Sequence, residues 1–238
     1  DPNWAIIQNT QAILTFRLAD DEAEIIFLRP NVLAAYQHYL ATKTGNVGIC
    51  LVTGQKANTA RLHPSIHGVR GAQPSGASMV SFNLDAFTSW YKKQGDNAPI
   101  SEKAAFEYTT ALNAMLKPDS VNRFQLGDTS CVCWADKPVP LETTLPQLLN
   151  VDNPDAGIPA VTALFASLYN GAYQERDGEN NFYVLGLGPN ASRIVVRFWV
   201  IATVAEISEH LGRWFHDLDI VGREDFGYPS LLDLLRTT

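Results

Sequence analysis

No stretch of this 238-residue chain stays apolar for long. A membrane-spanning helix needs roughly 18 such residues. The nearest approach, Ile194 to Val204, is too short and is interrupted by Arg197. Cysteine is scarce: three residues, an odd number without framework spacing, which argues for a reducing, cytoplasmic setting rather than a disulfide scaffold. No Gly-x-Ser-x-Gly elbow, His-Glu-x-x-His pair or Cys-x-x-Cys couple occurs, so the common hydrolase, metalloprotease and redox signatures have no foothold. The chain opens Asp1-Pro2-Asn3-Trp4, with neither an initiator methionine nor a signal peptide, as expected of a fragment or a processed product. Charge is modest as well, at 18% of residues. The net value of −7 alone argues against nucleic acid as a partner.

Its distribution argues the other way. Between Ala41 and Gln94 stand Lys43, Lys56, Arg61, Arg70, Lys92 and Lys93 against Asp85 alone. A basic segment inside an acidic protein makes a localised attractive patch, unless these cations merely solvate one face. The apolar fraction of 46% and the length suffice for a substantial core.

The segment from His63 to Asn97 organises the rest. Gly68, Gly71 and Gly76 fall within nine residues, and almost no bulky side chain lies between Gly68 and Ser78. Such a stretch cannot build core and is expected as a surface loop, anchored by a strand over Met79–Asn83. Two further readings stay open on spacing. One is a purely structural glycine turn. The other is a phosphate-binding loop, since Gly71 to Ser78 fits Gly-x-x-x-x-Gly-x-Ser, but Ala77 stands where the phosphate-reaching lysine belongs. Downstream, Trp90, Tyr91, Lys92 and Lys93 combine stacking surface with positive charge, with one of the two aromatics expected in the core.

The remaining pattern mixes strands and helices. Strands are expected within Asn3–Leu28 (WAIIQ, AILTFRL, EIIFL) and, buried, over Val47–Val52 before a Thr53-Gly54 turn. A helix should follow Pro30, with Val32, Ala35, Tyr36, Tyr39 and Leu40 in phase and Gly45 ending it. Ser101 is the expected N-cap of a helix from Glu102 to Leu116, with Ala105, Tyr108, Leu112 and Met115 as its core face. In a strand over Asp128–Ala135, Cys131 and Cys133 face one way and Val132 and Trp134 the other. Lys137 to Pro159 holds five prolines, and a helical turn is expected within it at Leu145–Leu149.

Beyond lie a helix with Val161, Leu164, Phe165, Leu168 and Tyr169, then a hairpin of Phe182–Leu187 and Ser192–Ala202 joined by Gly188 to Ala191. An amphipathic helix carries Val204, Ile207, Leu211, Phe215 and Leu218, and an apolar one starts at Leu231. The fold class is therefore α+β, with mixed short strands and helices, no regular βα alternation, and a helical C-terminal region cut off at Thr238. The divisions are 1–136, a Pro-rich connector 137–159, and 160–238.

Two clusters invite metal chemistry. Cys50, His63 and His67 lack a fourth ligand, and Pro64 with Gly68 forbids a regular helix that would align the histidines. His210 and His216 share a helix with Glu206, Glu209, Asp217 and Asp219, but these spread around it as a solvated face does. No metal or other cofactor is expected, and catalysis would rest on nothing specific.

Three long phrases carry a resemblance: CLVTGQKANTARLHPSIHGVRGAQPSGASMVSFNLDAF, NAPISEKAAFEYTTALNAML and FYVLGLGPNASRIVVRFW. Together they resemble the large-subunit family of the type I-C CRISPR surveillance complex (Cascade), collinearly over most of the chain. The resemblance implies a longer, non-catalytic protein. Its partners would be guide RNA, target double-stranded DNA, the Cascade backbone and small subunits, and a recruited helicase-nuclease, with no membrane. In such complexes base pairing reads sequence while protein reads a short flanking motif. Carried onto this chain, Arg70, Gly71, Gln73, Ser75, Gly76, Ser78 and Asn83 become the candidate reader. Lys56, Lys92 and Lys93 would grip phosphate, and Trp90 would stack. His67 replaces a lysine usual in that family, which weakens the basic patch at neutral pH.

Overall fold

The computed structural model describes residues 15–19, 25–42, 45–149 and 179–217. The chain divides into two compact units, 1–46 and 47–238. In the first, Leu28 N and Arg29 N donate to Ile25 O and Ile26 O, closing a tight turn over Ile26–Leu28 that leads into helix α1, Pro30–Thr42. The strand expected at its end is therefore a turn, because the chain bends there to enter the helix at Pro30. Val32, Ala35, Tyr36 and Tyr39 all lie exposed on α1, and the two tyrosine rings stack at 6.4 Å.

The second unit is built on a four-stranded antiparallel sheet in the order β3 (Arg123–Leu126), β4 (Thr129–Ala135), β5 (Asn181–Asn190), β6 (Arg193–Thr203). Side chains of a strand alternate between faces, and here each face carries buried core, although Val196, Trp199, Val200 and Ile201 of β6 remain exposed. One face takes Phe124, Cys131, Cys133, Phe182 and Val184, covered by helices α3 (Leu141–Leu149) and α4 (Val204–Asp217). The other takes Val132, Leu185, Leu187 and Ile194. Over it lie Leu112 of helix α2 (Glu102–Met115), Leu116 at that helix's C-terminal end, and Ile66, Val69 and Ala77 of the glycine-rich segment. The alternation read from Cys131, Val132, Cys133 and Trp134 is thus observed, and each face has its own core.

Ser101 caps α2 as expected, its side chain accepting from Ala104 N at 3.1 Å. Ala105 and Leu112 are buried, with Tyr108 and Met115 at the margin of the core. β5 and β6 form the expected hairpin, but its turn is tighter than the sequence implied: Pro189 and Asn190 pair within the strands, and the turn is Ala191-Ser192. β4 and β5, which flank the Pro-rich stretch in sequence, pair with each other. The helical part of that stretch is longer than one turn, because Leu141, Leu145, Pro146 and Leu148 bury together.

Two expected strands differ. Val47–Ile49 (β1) pairs only with Lys56–Asn58 (β2), and Val47, Ile49, Leu51 and Val52 are exposed, leaving Cys50 as the one buried residue of that stretch. Apolar composition marked a strand there, but no layer of described residues covers it. Met79–Asn83 is not a strand, since only Ser78 O is bonded, to Ile194 N at 3.0 Å. The expected strand WAIIQ, the first half of AILTFRL, the helix from Val161 and the leucines after Ser230 lie outside the described residues, while the other half of AILTFRL, residues 15–18, forms no strand. Among the described residues, no helix is long and apolar enough to cross a membrane.

Candidate nucleic-acid interface

The glycine-rich loop is closed at its base. Ile66 and Ala77, both buried, exchange two backbone hydrogen bonds of 2.9 Å. Burying Ile66 alone contributes about 1.5–3 kcal/mol, so this base does not fray readily. From α2, Asn113 grips the incoming strand twice: its Oδ1 accepts from His67 N at 2.8 Å and its Nδ2 donates to Ser65 O at 3.0 Å. On the sheet side, buried Ser130 of β4 accepts from Arg70 N at 2.9 Å and donates to Gln125 at 3.0 Å. Ser78, as it leaves, is bonded to β6. Four attachments therefore fix a loop whose tip is Arg70 to Ser75.

The side chains at that tip face solvent. Arg70, Gln73 and Ser75 are exposed, and neither Arg70 nor Gln73 has a polar side-chain partner among the described residues. Gly71 and Gly76 take φ of +78° and +87°. A Cβ on Gly76 would lie 2.7 Å from both the His67 ring and Ser65 Cβ, so this position requires glycine for space as well as for φ.

The backbone of the loop does not form a phosphate cradle. A phosphate loop aims successive N–H groups at its ligand. Here Arg70, Ala72, Gly76 and Ala77 donate theirs to Ser130 Oγ, Val69 O, Gln73 O and Ile66 O. No helix follows the loop, and Ala77 is buried.

The candidates are not all equivalent. Ser78 is half-buried at the sheet edge. Asn83 is exposed, but its Oδ1 accepts from Arg193 at the hairpin turn, and that same guanidinium lies 4.2 Å from the Phe87 ring centre. Arg193 thereby ties the segment leaving the loop to β6, and Asn83 meets this cation rather than standing open like Gln73. Trp90 and Tyr91 are 88% and 101% exposed, so neither enters the core, contrary to the expectation for one of them. Lys56, Arg61, Arg70, Lys92 and Lys93 are all exposed, and none is ion-paired with a described residue.

The histidines and cysteines are placed otherwise than in a metal centre. His63 Nδ1 lies 2.6 Å from Tyr108 Oη, and burial depresses the imidazole while pushing the Tyr108 phenol up to about 12. Cys50 Sγ accepts from Ser101 N at 3.2 Å, which with the Ser101 and Thr53 hydroxyls lowers its thiol to about 6. Among the described residues, no three His, Cys, Asp or Glu side chains are grouped to hold a metal ion.

Sequence reasoning missed Asn113, Ser130 and Arg193. Their partners lie 46, 60 and 110 residues away, and no local pattern encodes such distances.

Fold and loop define an α+β protein that displays a pinned loop and a set of exposed, unpaired cations. The chain belongs to the CRISPR-associated protein family Cas_Csd1, whose model matches residues 2–238. No curated protein matches the chain.

Proposed function

We propose that this chain is the non-catalytic large subunit of a type I-C CRISPR RNA-guided complex. In that role it recognises the motif flanking the target (PAM) in double-stranded DNA and supports the displaced strand of the R-loop. The observation that carries the reading is the fixed glycine loop with Arg70 and Gln73 open at its tip. Base edges are read by donors and acceptors held at fixed positions, whereas phosphate contacts only set register. Glutamine meets adenine bidentately in the major groove, and arginine meets guanine. The exposed lysines supply the sequence-independent part of the affinity, which explains how an acidic protein holds DNA. Family membership supports an assembly of Cas proteins, and the partners proposed are guide RNA, target DNA, the neighbouring Cascade subunits and a recruited helicase-nuclease.

The test compares duplexes with the correct and a scrambled flank, bound by the assembled complex carrying Gln73→Ala. The expected loss is about 1–3 kcal/mol on the correct flank and close to nothing on the scrambled one. Equal losses on both would show that the loop holds DNA without reading it.

A further inference from the structure

The turn after the basic segment is held in a conformation its residues disfavour. Trp90, Tyr91 and Gln94 have φ of 53°, 56° and 48°, the left-handed region in which a Cβ crowds the following carbonyl. Burial does not compensate the two rings, which stand 88% and 101% exposed. Bulky residues persist in that region only where their surroundings over-determine it, and such strain gathers at functional sites.

The turn's own backbone bond, Lys92 N to Ser89 O at 2.9 Å, closes it across the two rings, and one side chain reinforces that closure. Asn97 Oδ1 accepts from Ser89 N at 2.8 Å, and its Nδ2 donates to Gln94 O at 3.0 Å and Lys92 O at 3.3 Å. These three bonds span the turn from its first residue to its last. Below it, buried Gly95 donates to Arg61 O at 3.0 Å, and a Cβ there would fall 2.0 Å from Ala60 O, so the base cannot slide. Without Asn97, the single bond from Lys92 N to Ser89 O would be left to hold Trp90 and Tyr91 at positive φ.

Two adjacent exposed rings followed by two exposed lysines offer stacking and phosphate contact within one short turn. In a duplex both faces of a base are occupied by its neighbours, so a protruding ring finds an open face only on an unpaired one. We propose that the Trp90–Tyr91 tip takes unpaired bases of single-stranded nucleic acid, and that Asn97 is the positioning residue that orders the tip before the strand arrives. An ordered tip gives up less conformational freedom on binding, and that difference appears as affinity. The inference rests on the nucleic-acid reading above and names the ligand class of one part of that surface.

The experiment measures binding of oligothymidylate and of a short mixed-sequence duplex to the full chain by fluorescence anisotropy, across a salt series. The wild-type chain should prefer oligothymidylate, and Trp90→Ala with Tyr91→Ala should weaken it roughly tenfold. Asn97→Ala should weaken it several-fold with the salt slope unchanged, because the lysines remain. Asn97→Asp keeps the acceptor for Ser89 N and loses both donors, so it should fall between. In the background lacking both aromatics, Asn97→Ala should add almost nothing. An Asn97→Ala loss of the same size in both backgrounds would mean that Asn97 acts through the fold, and overturns its positioning role. Preference for the duplex overturns the unpaired-base assignment but leaves the nucleic-acid reading intact. A chain that binds neither probe takes both down together.

Discussion

At Gly76 the demand on a single residue is steric. The backbone sits at φ +87°, and the His67 ring and Ser65 close the space a side chain would need. Gly76→Val should therefore cost about 1–3 kcal/mol of stability from strained backbone, before any effect on a ligand. It should also abolish flank discrimination in the complex. Urea denaturation measures the first and paired-duplex binding the second; a fully stable variant would show that the loop yields where the packing says it cannot. Burial holds other residues by charge. It pushes the Cys131 and Cys133 thiols to about 12, with the charges of Glu142 and of its neighbour Cys131 adding to the effect at Cys133, and it does the same to the Tyr108 phenol. The unfolded chain releases the thiol protons near the ordinary value of 9.0, the folded one not until about 12. Stability from these groups is thus complete below that ordinary value and is lost as pH rises through the interval. The urea midpoint should fall on going from neutral to strongly alkaline pH, and Cys131→Ala with Cys133→Ala should flatten the fall.

At the scale of elements, α2 does two jobs. Its inner face completes the core over Val132, Leu185 and Leu187, while Asn113, in its last turn, clamps the segment entering the glycine loop. Asn113→Ala removes an exposed bond to the His67 N–H and a half-buried one to the Ser65 carbonyl, each worth about 0.5–1.5 kcal/mol net. Flank-specific binding should drop with it, while binding to scrambled duplex barely changes. A variant that loses stability yet keeps full discrimination would place the loop's rigidity elsewhere, in the Ser130 contact or the Ile66–Ala77 pair. The element was legible in advance because its signals are local: a serine before the first turn, an apolar stripe at helical spacing, and Lys117-Pro118 after it. The clamp was not, because an asparagine on a helix looks the same whether it faces water or a loop 46 residues away.

For the whole molecule, the net charge of −7 and the exposed cations coexist because the charges are segregated along the chain. Electrostatic attraction reaches only about a Debye length, roughly 8–10 Å at physiological salt, so a local patch acts independently of the total. Lys92→Ala with Lys93→Ala should weaken DNA binding about equally for every flank and make the salt slope shallower by roughly 2. A slope that does not move would sink the phosphate role of these lysines while leaving Gln73 untouched.

The sequence by itself determined the α+β class, the start and cap of α2, the hairpin, the alternation of Cys131 and Cys133 against Val132 and Trp134, and the position of the glycine loop. Each follows from spacing within about a dozen residues, which is the range over which backbone geometry and side-chain periodicity act. Only the tertiary structure decided which apolar residues are covered. Val47 to Val52 has the composition of a buried strand, but four of its six residues are exposed, and Trp90 and Tyr91 stand in solvent. It also decided what holds the loop: Asn113, Ser130 and Arg193 matter because a sheet and a helix bring them across 46, 60 and 110 residues of chain. Periodicity encodes which way a side chain points along its own element, and contact between distant elements depends on how those elements pack, which no local pattern carries.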